Sequence, residues 1–282
     1  MRKIFPKTIE RLMQKDKRIF CLLGDIGVFS FRNIFKKYKN RILNMSTMEQ
    51  TMIGFGAGLS KAGFIPIIHS IAPFLILRAL EQIKIDFVYN KLNCNIVSVG
   101  ASNDYSKLGT THHCFEDISI LSNYNEINLF LPSNAIELEY LLKKNYNNKC
   151  VNYFRISENI EGKKIKKNGY IRFNKSKKLI IIVGNSIDEK IIKKNNDIYY
   201  VNSLTNNMNI AFIKNYKSVV IVEPYFGNIL ERKIRKKNFF NHKILSISYD
   251  KTIVHKYGSK KNQDKYLKFD PKSILKKIND FN

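Results

Sequence analysis

Apolar residues along this chain follow two alternating patterns: short continuous runs and runs at helical spacing. The short runs predict strands at residues 18–23, 64–68, 95–99, 127–131 and 150–156. Helical spacing predicts helices over residues 46–61, 73–87 and 133–144, with Pro73 in a first helical turn. Because strands alternate with helices, we expect an α/β fold in which a mainly parallel sheet is flanked by helices.

A second, smaller α/β unit is predicted after a basic and polar stretch. Short β-branched runs at residues 179–183, 198–201, 219–222 and 244–248 predict four further strands separated by helices. The stretch before them has the composition of an interdomain linker. We therefore expect one domain over residues 1–160, a linker over 161–178 and a second domain over 179–282.

The predicted helix at residues 46–61 begins with a capping signal. Ser46 or Thr47 precedes Glu49 or Gln50 by three residues, which is the spacing of a capping box. Gly63 follows as the helix stop. On the helix alone, Glu49 is therefore interpreted as a capping residue.

Small residues occupy the middle of the same helix. Gly54, Ala57 and Gly58 are expected on one helical face, where they allow another backbone to approach closely. A phosphate-binding loop is not indicated, because the glycines lie inside a helix and no Gly-Lys-Ser/Thr follows. We expect this face to pack at a subunit interface.

Composition indicates a reduced, globular protein. Hydrophobic residues make up 44% of the 282 residues, enough to bury a core. The four cysteines are far apart and form no Cys-x-x-Cys pair, so we interpret them as reduced thiols of a cytoplasmic protein. The N-terminal stretch lacks the pattern of a signal peptide, and the most apolar stretch is interrupted by Pro66, His69, Pro73 and Arg78, so no membrane span is expected.

The formal net charge of +26 has two interpretations. A basic surface attracts the phosphates of nucleic acids. However, lysines are spread along the whole chain and no nucleic-acid-binding motif accompanies them. We therefore favour compositional bias and expect no nucleic-acid partner.

Four blocks of residues occur in a specific order. They are Glu49-Gln50 with Gly54 to Gly58, Gly63 to Pro66, Phe74, Arg78-Ala79 and Glu81-Gln82; Val99-Gly100 with Thr111-His112-His113 and Glu116-Asp117-Ile118; Leu131-Pro132-Ser133; and Tyr153-Phe154-Arg155. Together they resemble the pyrimidine-binding domain of transketolases and 1-deoxyxylulose-5-phosphate synthases. The resemblance is strong over residues 18–157 and rests on pattern alone over 179–280. It implies the thiamine-diphosphate pyrimidine-binding fold followed by a transketolase C-terminal domain.

The resemblance gives Glu49 a chemical role. In the family, a glutamate at this position bonds N1′ of the aminopyrimidine of thiamine diphosphate. A carboxyl group there favours the tautomer of the 4′-amino group that removes the thiazolium C2 proton. Beside the surrounding blocks, we interpret Glu49 as this cofactor contact. Phe74 matches an aromatic residue that packs on the pyrimidine, and Ile71 and Leu77 replace two others as apolar walls. The alternative for all three is ordinary core packing, which is favoured for Leu77.

The resemblance also implies substrate contacts. His112 matches a histidine that contacts substrate hydroxyls near the reacting carbon, and a histidine can move a proton there near neutral pH. His113 is a weaker candidate at the next position. Leu108 stands where transketolases have an acidic residue that bonds the donor's C2 hydroxyl, so the usual sugar specificity is in doubt.

Three further residues have open interpretations. Arg155 matches an arginine that binds substrate phosphate, and its alternative is a strand-end residue in a surface ion pair. Asp25 matches an acidic residue near the cofactor, with loop capping as its alternative. His69 is a candidate substrate contact, with a satisfied, half-buried histidine as its alternative. The C-terminal half supplies no matching site residues.

The family's Mg²⁺ and diphosphate motif, Gly-Asp-Gly with a later asparagine, is not found. Gly24-Asp25-Ile26 lacks the third glycine and lies in a different block. Mg²⁺ requires oxygen ligands in near-octahedral geometry. We therefore expect a separate N-terminal transketolase subunit to carry the Mg²⁺ ligands, with two copies of this chain pairing inside a heterotetramer.

The resemblance implies transfer of a two-carbon ketol unit between sugars or sugar phosphates. The alternatives are the β subunit of a 2-oxo-acid dehydrogenase and a 1-deoxyxylulose-5-phosphate synthase-like enzyme. A degenerate subunit or a basic nucleic-acid-binding protein is the non-enzymatic alternative.

Overall fold

The computed structural model describes residues 1–157, 167–205, 208–236 and 242–281. Its first half alternates strands and helices, and each predicted strand is present with bounds shifted by a few residues. The elements are α1 (Ile4–Lys15), β1 (Ile19–Leu23), α2 (Val28–Lys37), β2 (Ile42–Asn44), α3 (Glu49–Lys61), β3 (Ile65–Ile71), α4 (Leu80–Gln82), β4 (Cys94–Val99), α5 (Asp117–Leu121), β5 (Ile127–Phe130), α6 (Ala135–Asn145) and β6 (Val151–Arg155).

The predicted helix over residues 73–87 is helical, but most of it is π-helix rather than α-helix. Two π-helical segments, Pro73–Leu77 and Ile83–Tyr89, flank α4. Pro73 lies in the first turn, as expected, because its missing N–H has no partner to lose there. The widened turns place Ile83 and Phe87 in the core below α3.

The second half forms another sheet with flanking helices. Its elements are β7 (Gly169–Arg172), β8 (Lys178–Val183), β9 (Asp197–Val201), β10 (Ser203–Leu204), β11 (Ser218–Val222), α7 (Ile229–Arg235), β12 (Lys243–Ile247), α8 (Lys260–Tyr266) and α9 (Pro271–Asp280). Within the described ranges, no helix is both long and apolar enough to cross a membrane.

The two sheets have the mainly parallel arrangement that the sequence predicts. The strand order is β10-β5-β6-β4-β3-β1-β2 in the first sheet and β12-β11-β8-β9-β7 in the second. The antiparallel pairs are β10 with β5 and β7 with β9. The α/β fold class is therefore confirmed.

Part of the predicted linker is a strand. Residues 161–166 lie outside the described ranges, but Gly169–Arg172 pairs with β9 at the edge of the second sheet. A four-residue strand among lysines has too little apolar pattern to be recognised, and it forms because β9 offers it a partner edge. The division of the chain at residues 160 and 179 stays a prediction, since β10 joins the two halves by extending the first sheet.

Helix α3 packs closely on the first sheet, but not through the predicted set of small residues. Gly56 faces β3, where an added Cβ would lie 2.7 Å from Ile68 Cδ1. Ala57 is buried in the core, whereas Gly58 is exposed with open space around it. Gly54, Ala57 and Gly58 are spaced i, i+3 and i+4 and so share one helical face, as expected; packing of this face at a subunit interface stays a prediction.

Candidate active site

The carboxyl ends of the parallel strands meet at one edge of the first sheet, next to the start of α3. In parallel α/β sheets, ligands bind at this edge. Gly24 and Asp25 follow β1, Ser70 lies near the end of β3, and Gly100 follows β4. The predicted site residues therefore converge on this edge from separate parts of the chain.

Glu49 is buried at the start of α3 and does not cap it. The N-cap residue is Met48 and no side chain caps the helix, so the predicted capping box is wrong. The Glu49 side chain is 1% exposed; its Oε1 accepts a hydrogen bond of 2.8 Å from Ser70 Oγ and its Oε2 accepts one of 2.6 Å from Arg78 Nη1. Its carboxylate is thus oriented by tertiary contacts, as an acid–base group requires.

Ser70 is held by a close approach of two strands. Ser70 Oγ lies on β3 beside Gly24, and an added Cβ on Gly24 would come within 2.6 Å of that oxygen. Only glycine therefore leaves room for the Ser70 hydroxyl in its position next to Glu49. Ser70 had no sequence signal beyond its place in a buried strand.

Arg78 lies between Glu49 and Phe74, the aromatic residue that is predicted to pack on the pyrimidine. Its guanidinium carbon lies 4.6 Å from the centroid of the Phe74 ring. Phe74 in turn meets the His112 ring edge to face, with centroids 5.1 Å apart. Glu49, Arg78, Phe74 and His112 thus form a continuous series of contacts, which brings the residues predicted for cofactor activation and substrate contact together.

The three apolar wall candidates differ in exposure. Ile71 and Phe74 are half-buried, but Leu77 is 38% exposed in this chain. The favoured core interpretation of Leu77 is therefore wrong: it lies on a wide helical turn that points a large apolar side chain to the surface. This position is open to a cofactor or to another chain.

His112 is half-buried at the end of a short 3₁₀ turn, and its contact with a substrate stays a prediction. Its Nδ1 lies 3.0 Å from Thr111 Oγ1. His113 is different, because it is 6% exposed and packs against Phe115 with ring centroids 5.7 Å apart. Burial of the ring is the main cause that lowers the pKa of His113, and the nearby charges of Lys260 and His112 lower it further. Its ring borders a cavity of about 320 Å³ together with Phe115, and substrate contact through His113 stays a prediction.

His69 is a core histidine. It is 4% exposed, and its ring lies 4.6 Å from that of Phe5. Its Nδ1 donates a hydrogen bond of 2.7 Å to the Val97 carbonyl, since a carbonyl oxygen can only accept. Burial lowers the pKa of His69 to about 4. The substrate-contact interpretation is therefore wrong, because the ring is enclosed by the core on the α1 side of the sheet.

Arg155 is also internal. It is 2% exposed, and its Nε donates to Asp117 Oδ2 at 2.7 Å. The nearby Asp117 carboxylate offsets the effect of burial and raises the pKa of the Arg155 guanidinium. Both sequence interpretations, a phosphate contact and a surface ion pair, are wrong for this structure, because helix α5 brings a buried carboxylate under the end of β6.

Asp25 has a loop-capping geometry. It is exposed, and it exchanges hydrogen bonds of 3.0 Å with Asn44, from its backbone N–H to Asn44 Oδ1 and from Asn44 Nδ2 to its Oδ1. Its φ of 54° is held by this reciprocal pair. These contacts favour the structural interpretation over a cofactor contact.

A basic cavity at the same sheet edge was missed by the sequence analysis. It has a volume of about 520 Å³ and is lined by Val99, Gly100 and Ser157, which lie at or near the ends of β4 and β6. Arg2, Lys3, Lys7, Asp104 and Tyr105 also line it. Three cations against one carboxylate favour an anionic ligand. The sequence signal was the basic start of the chain, which has meaning only once α1 is placed beside β4.

Among the residues that the structure describes, no group of three or more histidine, cysteine, aspartate or glutamate side chains is arranged to hold a metal ion.

Comparisons with known proteins agree with this geometry. A family model described as "Transketolase, pyrimidine binding domain" matches residues 1–160, and the chain belongs to this family. The resemblance inferred from the four sequence blocks is thereby confirmed. An uncharacterised 33.6 kDa protein in the fasciation locus of Rhodococcoides fascians is 25% identical over 98% of this chain and 93% of its own length.

Two further relatives add detail. One subunit of an apulose-4-phosphate transketolase from Actinobacillus succinogenes is 34% identical over 38% of this chain, and the match spans only 34% of that protein. A solved structure of a split-gene transketolase, an inactive β4 tetramer, superposes with a TM-score of 0.82 at 17% identity, covering 99% of this chain and 97% of the other. At that identity the likeness shows the fold of the whole chain, including the second half.

Proposed function

We propose that this chain is the C-terminal subunit of a split, thiamine-diphosphate-dependent transketolase that moves a two-carbon unit between sugar phosphates. The observation that carries the proposal is the buried Glu49 carboxylate, held between Ser70 and Arg78 at the ligand-binding edge of the sheet. A capping glutamate would be solvated and bonded to its own helix. Glu49 instead has the fixed orientation of a group that bonds a ligand nitrogen.

The residues around Glu49 fit an aminopyrimidine. Phe74 offers a half-buried aromatic face, and Leu77 offers an exposed apolar surface next to Arg78. When bound, thiamine diphosphate supplies the acidic carbon whose deprotonation begins the reaction. Glu49 would hold the proton at the pyrimidine N1′, Phe74 and Leu77 would exclude water, and His112 would donate to the substrate oxygen near the reacting carbon.

A partner chain would complete the site. Mg²⁺ ligands for the diphosphate are expected on that partner, because Gly24-Asp25-Ile26 lacks the third glycine of the family's Gly-Asp-Gly motif. Exposed apolar side chains at the start and on the surface of α3, and along residues 77–89, are available for contact between chains; they are Met48, Phe55, Leu77, Ile85 and Tyr89. The two relatives, one subunit of an apulose-4-phosphate transketolase and a split-gene transketolase, support a divided enzyme. The heterotetramer, the Mg²⁺ site and the cytoplasmic location stay predictions.

The basic cavity supports a phosphorylated substrate. Arg2, Lys3 and Lys7 lie beside the ends of β4 and β6, in the same edge that holds Glu49. A phosphate dianion there would be held by charge and by forked guanidinium hydrogen bonds. This cavity takes over the role that the sequence analysis gave to Arg155. The similarity to an apulose-4-phosphate transketolase supports the same substrate class.

Cofactor binding and cofactor activation test the proposal separately. The chain is co-purified with candidate N-terminal subunits, and thiamine diphosphate with Mg²⁺ is titrated by calorimetry against each protein and the pair. Hydrogen–deuterium exchange at the cofactor C2 is then measured for the wild type and Glu49→Gln. We expect the pair of subunits to bind thiamine diphosphate and neither subunit to bind it by itself. In Glu49→Gln we expect the rate of exchange at the cofactor C2 to fall roughly 10²–10⁴-fold.

The control is Glu231→Gln, which removes a half-buried carboxylate paired with Arg235 in the second half of the chain and is expected to leave exchange unchanged. If the pair binds no cofactor, or if Glu49→Gln exchanges at the wild-type rate, the proposal fails. Exchange without ketol transfer, but with decarboxylation of a 2-oxo acid, would assign the chain to the 2-oxo-acid dehydrogenase alternative.

A further inference from the structure

The loop that carries His112 is closed at its base by a two-residue antiparallel bridge. Ser102 N–H donates to the Cys114 carbonyl at 2.9 Å, and Cys114 N–H donates to the Ser102 carbonyl at 2.8 Å. Residues 103–113 therefore project as a unit, and the position of His112 depends on how this base is held.

Arg155 holds both sides of that base. Its Nη2 donates to Ser102 Oγ at 2.8 Å and approaches the Cys114 carbonyl at 3.4 Å. The same nitrogen donates to the Pro224 carbonyl at 3.1 Å, and Ser102 Oγ also donates to that carbonyl. One buried cation thus ties the loop base to a turn that follows β11 in the second half of the chain.

Asp117 fixes the guanidinium in this orientation. Its Oδ2 accepts from Arg155 Nε and from Tyr153 OH, both at 2.7 Å. The Arg155 and Asp117 side chains are 2% and 0% exposed. A buried pair of this kind has few alternative arrangements, since breaking it leaves an uncompensated charge in the interior. The pair is therefore suited to hold a fixed geometry.

The outer part of the loop is held by the second half as well. Asn103 Nδ2 donates to Asp264 Oδ1 at 2.8 Å, and Gln263 Nε2 donates to the Ser106 carbonyl at 3.2 Å. Both partners lie on α8. The Tyr257 ring covers Gly109, so the loop is contacted along its length.

We propose that Arg155, held by Asp117, is a positioning residue that sets the His112 loop against the second half of the chain. This inference rests on the proposed function for the role of His112. It assigns to the second half, which offered no site residues by sequence, the task of fixing the reaction loop. Misplacing a catalytic group by about 1 Å can cost about 100-fold in rate.

The first test measures how stably residues 103–113 are held and does not depend on enzyme activity. Hydrogen exchange followed by mass spectrometry is recorded on the whole chain for the wild type, Arg155→Lys and Ser102→Ala. Ser102→Ala removes one acceptor of Arg155 with the smallest change in volume, so it is informative even where Arg155→Lys does not fold. We expect at least about 10-fold faster exchange in residues 103–113 and unchanged exchange in α3.

Asp197→Asn is the matched control. Asp197 is fully buried and accepts a hydrogen bond of 2.8 Å from Tyr216 OH within the second half. Its loss is expected to lower the midpoint of denaturation without raising exchange in 103–113 above that of α3. Unchanged exchange in the loop of the Arg155 and Ser102 variants, or a parallel rise in every segment, would overturn the proposal.

The second test asks whether Arg155 acts through His112. With the assembled enzyme, we expect Arg155→Lys and Ser102→Ala to lower kcat roughly 10- to 100-fold while cofactor C2 exchange, which depends on Glu49, is retained. In a His112→Ala background the same substitutions are expected to change kcat less than about 2-fold. If Arg155→Lys and Ser102→Ala lower kcat as much in the His112→Ala background as in the wild type, Arg155 does not act through His112 and the positioning role is overturned. A silent His112→Ala, with the loop effect still present in hydrogen exchange, would reject the catalytic assignment of His112 instead.

Discussion

Arg78 donates a hydrogen bond of 2.6 Å to Glu49, although the two side chains differ sharply in exposure. Arg78 is 43% exposed and Glu49 is 1% exposed. The buried carboxylate is therefore neutralised from the solvent side by a cation that lies at the rim of the site, above the Phe74 ring. A ligand or a partner chain that reaches Phe74 must meet Arg78.

Arg78→Ala is expected to destabilise the chain because it leaves the Glu49 carboxylate buried with Ser70 as its remaining hydrogen-bond donor. We expect a loss of roughly 1–3 kcal/mol in the free energy of unfolding at pH 7, measured by urea denaturation. Arg11→Ala, which removes an exposed pair with Glu139, is the control and should cost less than about 1 kcal/mol. Equal, small losses in both variants would show that Glu49 does not depend on Arg78.

Gly24→Ala tests the packing behind the site. The new methyl group would lie 2.6 Å from Ser70 Oγ and 3.2 Å from Met52 Sδ, so Ser70 must move away from Glu49. Overpacking of this kind typically costs about 1–3 kcal/mol. Thermal unfolding measures the stability loss, and calorimetry with the partner chain should show weaker binding of thiamine diphosphate.

The control for this change is Gly58→Ala, which adds a methyl group on the same domain where nothing lies within 4 Å. In the isolated chain this variant is expected to be neutral or slightly stabilised, because alanine favours the helix. If Gly24→Ala behaves in the same way, the close approach of β1 and β3 does not constrain Ser70.

The burial of His69 predicts that the free energy of unfolding decreases at acid pH. Burial lowers its pKa to about 4 from 6.5, so the unfolded chain takes up this proton at a higher pH than the folded chain does. Stability is therefore lost as the pH falls from 6.5 towards 4, by roughly 3 kcal/mol in full. His69→Gln retains a donor for the Val97 carbonyl but does not titrate, so this share of the pH dependence should disappear.

Urea denaturation of the wild type and His69→Gln at pH 7 and pH 4 measures the difference. His255→Gln, at an exposed position, is the matched control and should follow the wild type. A wild-type and a His69→Gln curve that run parallel between the two pH values would contradict the burial argument.

The basic cavity predicts selectivity for phosphorylated donors. Arg2→Ala combined with Lys3→Ala removes two of its three cations, and we expect KM for a ketose phosphate to rise at least about 10-fold, since hydrogen bonds to charged groups contribute about 1.5–3 kcal/mol each. The kinetic constants for the unphosphorylated ketose should be nearly unchanged. Lys272→Ala combined with Lys276→Ala, at two exposed positions on α9, removes the same number of charges and is the control for net charge. Equal losses for both ketoses would remove the cavity from substrate binding.

Local patterns in the sequence were sufficient for much of the fold. The strands at residues 65–71, 94–99 and 151–155 are continuous apolar runs, and the parallel arrangement follows from their alternation with helices. Helix α1 was not predicted, although Phe5, Ile9, Leu12 and Met13 have helical spacing, because lysines surround them and hide the apolar face. The strand at 169–172 escaped recognition because its pairing partner β9 lies almost 30 residues further along the chain.

The site was predicted to a smaller extent, since residue types do not report what surrounds them. Glu49, Phe74 and His112 were chosen from their order and spacing, and the structure brings them together through Arg78. His69 and Arg155 were chosen by the same reasoning, but they are enclosed by Phe5 and by Asp117, which come from distant segments.

The sequence by itself determined the succession of strands and helices, the parallel α/β class and the family, because periodicity and ordered motifs are properties of the linear chain. Only the tertiary structure decided which polar groups face a ligand and which face each other. Whether a carboxylate caps its own helix or pairs with an arginine 29 residues away depends on the packing of β1, β3 and α3 around it. Burial and charge pairing are set by this packing, and they decide what each side chain can do.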